Sequence, residues 1–278
     1  MKRAIGIIGF GNMGQAIAGQ TKDDYAVYVF EKDKDKLQDA AAGIKFVENS
    51  LDLFNKADTV ILAVKPQDFE NTLAGIKNSV TLDKLIISIA AGISTEYIEK
   101  RLGMSRVVRV MPNILLKIGL GVSCLSKGKF ATEQDLDFAE NLFNYMGETL
   151  VLQENMINAV TAVSGSGPAY VCYYIEAGLI DPDNLSGKSE QVFLDSFMKA
   201  AQDLGLARQE ASFLVDNTFN GTINFIKKTK ILPAELIKQV ASKGGTTEAA
   251  LAALRNGGSL QDAVKQAAKR AEELSRKE

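Results

Sequence analysis

Over its first half the chain alternates between short continuous apolar runs and longer stretches with helical spacing. The apolar runs are Ala4–Gly9, Ala26–Phe30, Thr59–Val64, Leu85–Ala90 and Arg106–Val110. Runs of this kind, without polar alternation, suit strands covered on both faces. Asn12–Gln20 reads as a helix and Lys34–Ala42 as a polar one. The alternation predicts a parallel, doubly wound sheet with helices on both sides. Gly121–Leu125 and Thr149–Leu152 read as two more strands. Between them, Thr132–Tyr145 places Leu136, Ala139, Leu142 and Phe143 on one helical face.

After about Glu154 the strand signal stops. Asn155–Ala177, Phe193–Leu204, Gln209–Lys227, Ala234–Ala241, Thr246–Arg255 and Ser259–Ser275 all read as helices. Ser259 followed by Asp262 is a capping-box start for the last. Gly165, Gly167 and Pro168 interrupt the first, and the proline predicts a kink there. Ile180–Glu190 is polar and reads as a loop. The expected organisation is an α/β unit over 1–155 and an all-helical unit over 156–278. The helices of the second unit are apolar enough to expect burial against a second copy of the chain.

The 278 residues are 46% hydrophobic and 24% charged, an ordinary globular balance. The net charge of −2 gives no electrostatic footprint for nucleic acid or an anionic membrane. No apolar run approaches the roughly 20 residues that span a bilayer. Cys124 and Cys172 have no metal-type spacing, and read as small buried residues of a reducing, cytoplasmic compartment. Histidine is absent. That excludes any imidazole acid, base or metal ligand, and with it Ser-His-Asp hydrolases and most zinc chemistry. No metal is expected.

Gly9-Phe10-Gly11-Asn12-Met13-Gly14 fits G-x-G-x-x-G, between a predicted strand and a predicted helix. In that setting each glycine has a task. The first makes the tight turn, the second admits pyrophosphate to the backbone, and the third lets helix and strand approach. The helix N-terminus favours the phosphates. This is the fingerprint of a Rossmann-type dinucleotide site. Glu31 lies 17 residues past the third glycine, near the position of a ribose-binding carboxylate. It favours NADH. Lys32 and Lys34 favour a 2′-phosphate instead, so both NADPH and NADH stay open as cofactor, with a slight lean to NADH. Ala63-Val64-Lys65-Pro66 follows a central strand at the carboxyl edge of the sheet, where such sheets bind ligands.

Taken in order, five segments resemble the pyrroline-5-carboxylate reductase family. They are Gly9–Gly14, Ala63-Val64-Lys65-Pro66-Gln67, Val108-Arg109-Val110-Met111-Pro112-Asn113, Ala162-Val163-Ser164-Gly165-Ser166-Gly167-Pro168-Ala169-Tyr170, and Gly244-Gly245-Thr246-Thr247-Glu248-Ala249-Ala250-Leu251. The resemblance spans nearly the whole chain. It implies an NAD(P)H-dependent reduction of Δ1-pyrroline-5-carboxylate to proline, the last step of proline biosynthesis. It implies a homo-oligomer, at least a dimer, built through the C-terminal helices. It places Asn49, Lys65, Pro66 and the Met111-Pro112-Asn113 segment at the cofactor. It places the substrate carboxylate on Ser242, Gly244, Gly245, Thr246 and Thr247.

The last assignment also has a local rationale. Gly244 and Gly245 allow amides to converge at a helix start, where an anion is favoured. Thr247 is then the catalytic candidate, donating toward the imine nitrogen. A plain helix cap is the competing reading of the same residues.

Three features depart from the family pattern. Ile114-Leu115-Leu116 stands where Thr-Pro-Ala is common. Lys243 stands where proline is common, before Gly244. Residues 178–191 look inserted. A related imine or keto-acid reductase, or a dinucleotide-binding paralogue without turnover, therefore remain as alternatives at this level.

Overall fold

The computed structural model describes residues 2–37, 41–185 and 187–275. It divides into two compact units. One comprises Met1–Val110 and Leu125–Glu154, the other Met111–Cys124 and Asn155–Lys277. The segment 111–124, which a linear reading assigns to the nucleotide-binding half, packs with the C-terminal helices. Its buried Ile114, Leu115 and Leu116 explain why.

In chain order the first elements are β1 (Ala4–Ile8), α1 (Asn12–Thr21), β2 (Ala26–Phe30) and β3 (Lys45–Phe46). Next come α2 (Ser50–Lys56), β4 (Thr59–Leu62), α3 (Phe69–Ile76), β5 (Leu85–Ser88), α4 (Thr95–Leu102) and β6 (Arg106–Pro112). They are followed by β7 (Gly121–Lys127), α5 (Glu133–Asn144) and β8 (Gly147–Val151). The strands lie in the order β3-β2-β1-β4-β5-β6-β7-β8. β3 through β6 pair in parallel. The order reverses at β1, whose neighbours are β2 and β4, which is the switch point of a doubly wound sheet.

The continuous apolar runs are explained by cover on both faces. Val60 and Leu62 of β4 and Ile86 of β5 join one core with Leu53, Phe54, Phe69, Leu73, Ile98 and Leu102 of α2, α3 and α4. Ile61 and Ile87 alternate to the opposite face and are equally buried. Each such side chain contributes about 1.5–3 kcal/mol by burial. Helix starts are capped as their sequences dictate. Asn49 accepts from Asp52 N–H at 2.8 Å, and Thr132 and Asp135 form a reciprocal box at the start of α5.

One sequence expectation changes here, and some elements went unpredicted. The polar helix over 34–42 is only a 3-10 turn, Lys34–Leu37, with residues 38–40 outside the described ones. It has no apolar face to bury. The short helices α2, α3 and α4 and the two-residue β3 were not separately legible in the sequence, because seven or eight residues barely establish a period.

The second unit is helical. It contains α6 (Ile157–Val160), α7 (Gly167–Glu176), α8 (Lys188–Asp203), α9 (Arg208–Thr229), α10 (Pro233–Val240), α11 (Thr246–Arg255) and α12 (Leu260–Ser275). α11 and α12 form an antiparallel pair turned at Gly257, whose φ is +82°. Ser259 and Asp262 cap α12 reciprocally. The expected kinked helix over 155–177 is instead two helices separated by a π turn, Thr161–Gly165. Pro168 lies in the first turn of α7, where a missing N–H costs nothing, so the break belongs to the π turn rather than the proline.

Around that turn the packing is tight. Tyr170, Phe193, Phe197 and Phe219 form a buried aromatic cluster. A Cβ on Gly167 would lie 2.6 Å from Thr218 Cγ2 and 3.1 Å from Phe197 Cζ. Gly167→Ala is therefore expected to cost about 1–3 kcal/mol of stability, read as a lower urea midpoint at unchanged slope.

Candidate active site

The first unit carries a cavity of about 530 Å³ along the carboxyl ends of β1, β2 and β4. It is large enough for a substantial organic ligand. Its lining includes Gly9, Gly11, Glu31, Lys32, Ala63, Val64 and Lys65. The glycines divide the work physically. Gly9 has φ +99°, and a Cβ there would meet Ala63 O at 2.8 Å. A Cβ on Gly14 would lie 2.1 Å from Gly9 O, so α1 reaches the turn only because residue 14 has no side chain. Around Gly11 nothing lies within 4 Å of that position. Gly11 is the N-cap of α1, makes no side-chain cap bond, and is followed by a first turn without acidic residues. Open space before an uncapped helix terminus fits a pyrophosphate. Asn12 and Met13 open that helix.

Glu31 directly follows β2 and faces two backbone amides. Its carboxylate accepts from Phe10 N–H at 2.7 Å and Asp33 N–H at 3.0 Å. Lys36 Nζ lies 3.6 Å from it. Burial opposes its ionisation, yet the amides of Asp33, Phe10 and Lys32 and the Lys36 charge outweigh burial and hold its pKa below the ordinary value. The contact between Glu31 and the glycine turn is thus intact at neutral pH. It is lost only as pH falls through that lowered value. Glu31→Gln removes the charge and keeps the shape. It is expected to raise the NADPH-to-NADH ratio of kcat/KM by about three- to tenfold, as loss of one repulsion of about 1 kcal/mol implies. Initial rates with each cofactor measure it; an unchanged ratio removes Glu31 from cofactor choice.

Other expected cofactor residues sit differently. Asn49 is committed to capping α2, and its neighbour Ser50 lines the cavity. Pro66 opens a 3-10 turn directly after Lys65. Lys34 does not line the cavity whereas Lys36 does, because the 3-10 turn at 34–37 presents a different side chain than a helix would. Gln67 of the Ala63–Gln67 segment lines it too, as do Asp68, Asn71 and Thr72, which carried no motif signal.

Met111, Pro112 and Asn113 belong to the second unit. Asn113 is buried, and its amide is fully engaged. Its oxygen accepts from Leu115 N–H and Val122 N–H, at 3.3 and 3.1 Å, while Nδ2 donates to Ser164 Oγ at 3.2 Å. It braces the 111–124 segment against the π turn. Met111 Cε would lie 3.1 Å from a Cβ on Gly165.

The Gly-Gly-Thr-Thr segment forms the start of α11. Gly244 has φ +69°, and Gly245 is the N-cap. A Cβ on Gly245 would strike Ser242 Oγ at 2.3 Å. Both glycine amides expected at the substrate carboxylate have protein partners in the loop. Gly244 N–H donates to Glu248 Oε2 at 2.6 Å, and Gly245 N–H donates to Ser242 O at 2.9 Å. Both are spent within the loop. The amides of Thr246 and Thr247 come next, in the first helical turn, where N–H groups have no intrahelical acceptor. Arg270 of α12 fixes the loop from outside, its Nε donating to Gly244 O at 2.7 Å. Ser242 and Lys243 are exposed.

Two hydroxyls of this turn meet a third. Ser166 Oγ lies 3.0 Å from Thr246 Oγ1 and accepts from Thr247 Oγ1 at 3.0 Å. Ser166 and Thr247 are 1% and 4% exposed. Tyr170 donates to Ala162 O at 2.9 Å, and burial pushes its phenol pKa up despite a hydrogen bond with Ser166. The sequence placed Ser166 inside a helical motif without a role of its own. Only the turn geometry brings it to Thr247.

A doubly wound sheet, a glycine turn built for pyrophosphate and a following helical unit define a dinucleotide-dependent oxidoreductase. Residues 4–92 match the family model for NADP oxidoreductase, coenzyme F420-dependent. Residues 154–181 and 191–277 match that for pyrroline-5-carboxylate reductase dimerisation, passing over 182–190 within the inserted segment. The chain is 34% identical to a pyrroline-5-carboxylate reductase of Methanosarcina acetivorans, over 98% of each. It is 35% identical to one of Mycobacterium tuberculosis, over 97% of this chain and 96% of that one. A solved structure of a pyrroline-5-carboxylate reductase from Coxiella burnetii matches with a TM-score of 0.64 and 29% identity, over 99% of each chain. The chain belongs to the pyrroline-5-carboxylate reductase family.

Proposed function

We propose that this protein reduces Δ1-pyrroline-5-carboxylate to proline with NADPH or NADH. Within the family, the observation that carries the reading is the buried Thr247 hydroxyl in the first turn of α11, beside helix-terminal amides. A bound reduced nicotinamide supplies the hydride, and the protein supplies position and electrostatics. In the first unit, Gly9, Gly11 and Gly14 seat the pyrophosphate, Glu31 and Lys32 flank the adenosine ribose, and Lys65 lines the same cavity. In the second, the Thr246 and Thr247 amides receive the ring carboxylate, and the Thr247 hydroxyl addresses the ring nitrogen. A cyclic imine needs no strong general acid once protonated. That agrees with a chain that has no histidine.

The Ile114-Leu115-Leu116 departure does not argue for another substrate. All three side chains are buried, and a Cβ on Gly221 would meet Leu115 Cδ1 at 2.8 Å. The glycine on α9 thus accommodates the leucine, as a packing exchange. The family's dimerisation model over the helical unit supports a homo-oligomer built through those helices. Leu179, Val192 and Leu232 are large apolar side chains exposed there. Both cysteines are free and buried, which suits a reducing, cytoplasmic setting. No helix among the described residues is long and apolar enough to cross a membrane.

The test is initial-rate loss of nicotinamide absorbance with purified protein and Δ1-pyrroline-5-carboxylate. Turnover is expected. Cofactor binding without turnover on this imine would sink the reading.

A further inference from the structure

The π turn Thr161–Gly165 is of a kind that is rare within helices and frequent at functional sites. Here the Ser166 N–H reaches back five residues to Thr161 O, at 3.0 Å. The widened turn sets Ser166 Oγ against the first turn of α11, 3.0 Å from both threonine hydroxyls. In the pair with Thr247, Thr247 stands in the donor position. A hydroxyl has a single proton. Thr247 spends its proton on Ser166, so it offers a ligand only lone pairs. The Ser166 proton can go onward to Thr246 Oγ1, 3.0 Å away.

This polarity discriminates between two forms of a cyclic imine. The neutral imine nitrogen has a lone pair and no proton, so it can only accept. The iminium nitrogen has a proton and no lone pair, so it can only donate. We propose that Ser166 is a positioning residue that turns the Thr247 hydroxyl into an acceptor, so that the site selects the protonated iminium form of the imino acid. The proposal rests on the reductase reading above and replaces the donor role that the sequence suggested for Thr247.

The electron and proton balance closes without a protein acid. Hydride adds to the ring carbon, the C=N π pair moves onto nitrogen, and the positive charge there is cancelled. Nitrogen keeps the proton it brought. The resulting amine takes its second proton from water.

The test uses full-length Ser166→Ala, Thr247→Val and the double variant, with Δ1-pyrroline-5-carboxylate and NADPH. Ser166→Ala is expected to lower kcat/KM by about five- to tenfold near neutral pH, the worth of one hydrogen bond. In the Thr247→Val background it is expected to cost less than about twofold more, since coupled residues are non-additive. The pH profile supplies the readout that looser packing cannot mimic. Without Ser166 the Thr247 hydroxyl is free to donate to neutral imine. The deficit of Ser166→Ala relative to the wild type should therefore shrink as pH rises through the imine pKa. Multiplicative losses in the double variant, or a deficit independent of pH, would overturn the role of Ser166. If Ser166→Ala does not fold, Ser166→Cys, whose thiol is a weak acceptor, carries the same pH comparison. Wild-type turnover with multiplicative losses sinks the Ser166 proposal alone; no wild-type turnover sinks it together with the reductase reading.

Discussion

Gly14→Ala is expected to weaken NADPH binding by about ten- to a hundredfold. The reason is that both clashing groups are backbone. The new Cβ would stand 2.1 Å from Gly9 O, and Gly9 is itself held at φ +99° with Ala63 O in the way. No rotamer relieves the contact, so the glycine turn or α1 must move. Gly11→Ala makes the informative contrast. Its Cβ meets nothing within 4 Å, and its φ of −77° suits any residue. That variant should keep the wild-type melting temperature and still lose affinity, because the methyl stands where pyrophosphate approaches. Fluorescence titration and thermal unfolding of both variants separate a folding requirement at residue 14 from a ligand clearance at residue 11. Wild-type NADPH affinity in Gly11→Ala would mean that phosphate does not pass there.

Thr247→Val should reduce kcat/KM by about ten- to 150-fold, the effect of losing a hydrogen bond worth about 1.5–3 kcal/mol to a charged group. Valine preserves the shape in a position only 4% exposed and removes just the oxygen. The loss should appear mainly in KM, because the bond to a cationic nitrogen exists in the ground state and weakens as the charge is neutralised. NADPH affinity should not change, since Thr247 lies outside the lining of the Gly9–Gly11 cavity. Unchanged catalytic efficiency would remove Thr247 from the reaction.

The parts legible in the sequence are those that rest on period or on local chemistry. Apolar runs such as Thr59–Leu62 declared a sheet covered on both faces. Gly9, Gly11 and Gly14 each declared a distinct backbone task. Ser259 with Asp262 announced a helix start. Other features depend on contacts distant in the chain or on geometry without a sequence period. The π turn was read as a proline kink because one extra residue per turn leaves no periodic trace. The resemblance placed Asn113 at the cofactor, and nothing in the sequence announced its buried brace, whose partners, Val122 and Ser164, lie 9 and 51 residues away. The Gly244 and Gly245 amides looked free, but Glu248 and Ser242 take them once the loop closes. On the proposed reading, the carboxylate is then met by the amides of Thr246 and Thr247. Ser166 was hidden for the same reason, since its partners stand 80 and 81 residues further on.

The central claim is that hydride passes from the nicotinamide to the imine carbon of Δ1-pyrroline-5-carboxylate. Its most direct test is turnover with cofactor dideuterated at C4 of the nicotinamide, followed by mass and NMR analysis of the product. The account predicts proline carrying one deuterium at C5, the carbon of the former C=N bond. Unlabelled proline, deuterium at another carbon, or no proline at all would contradict it.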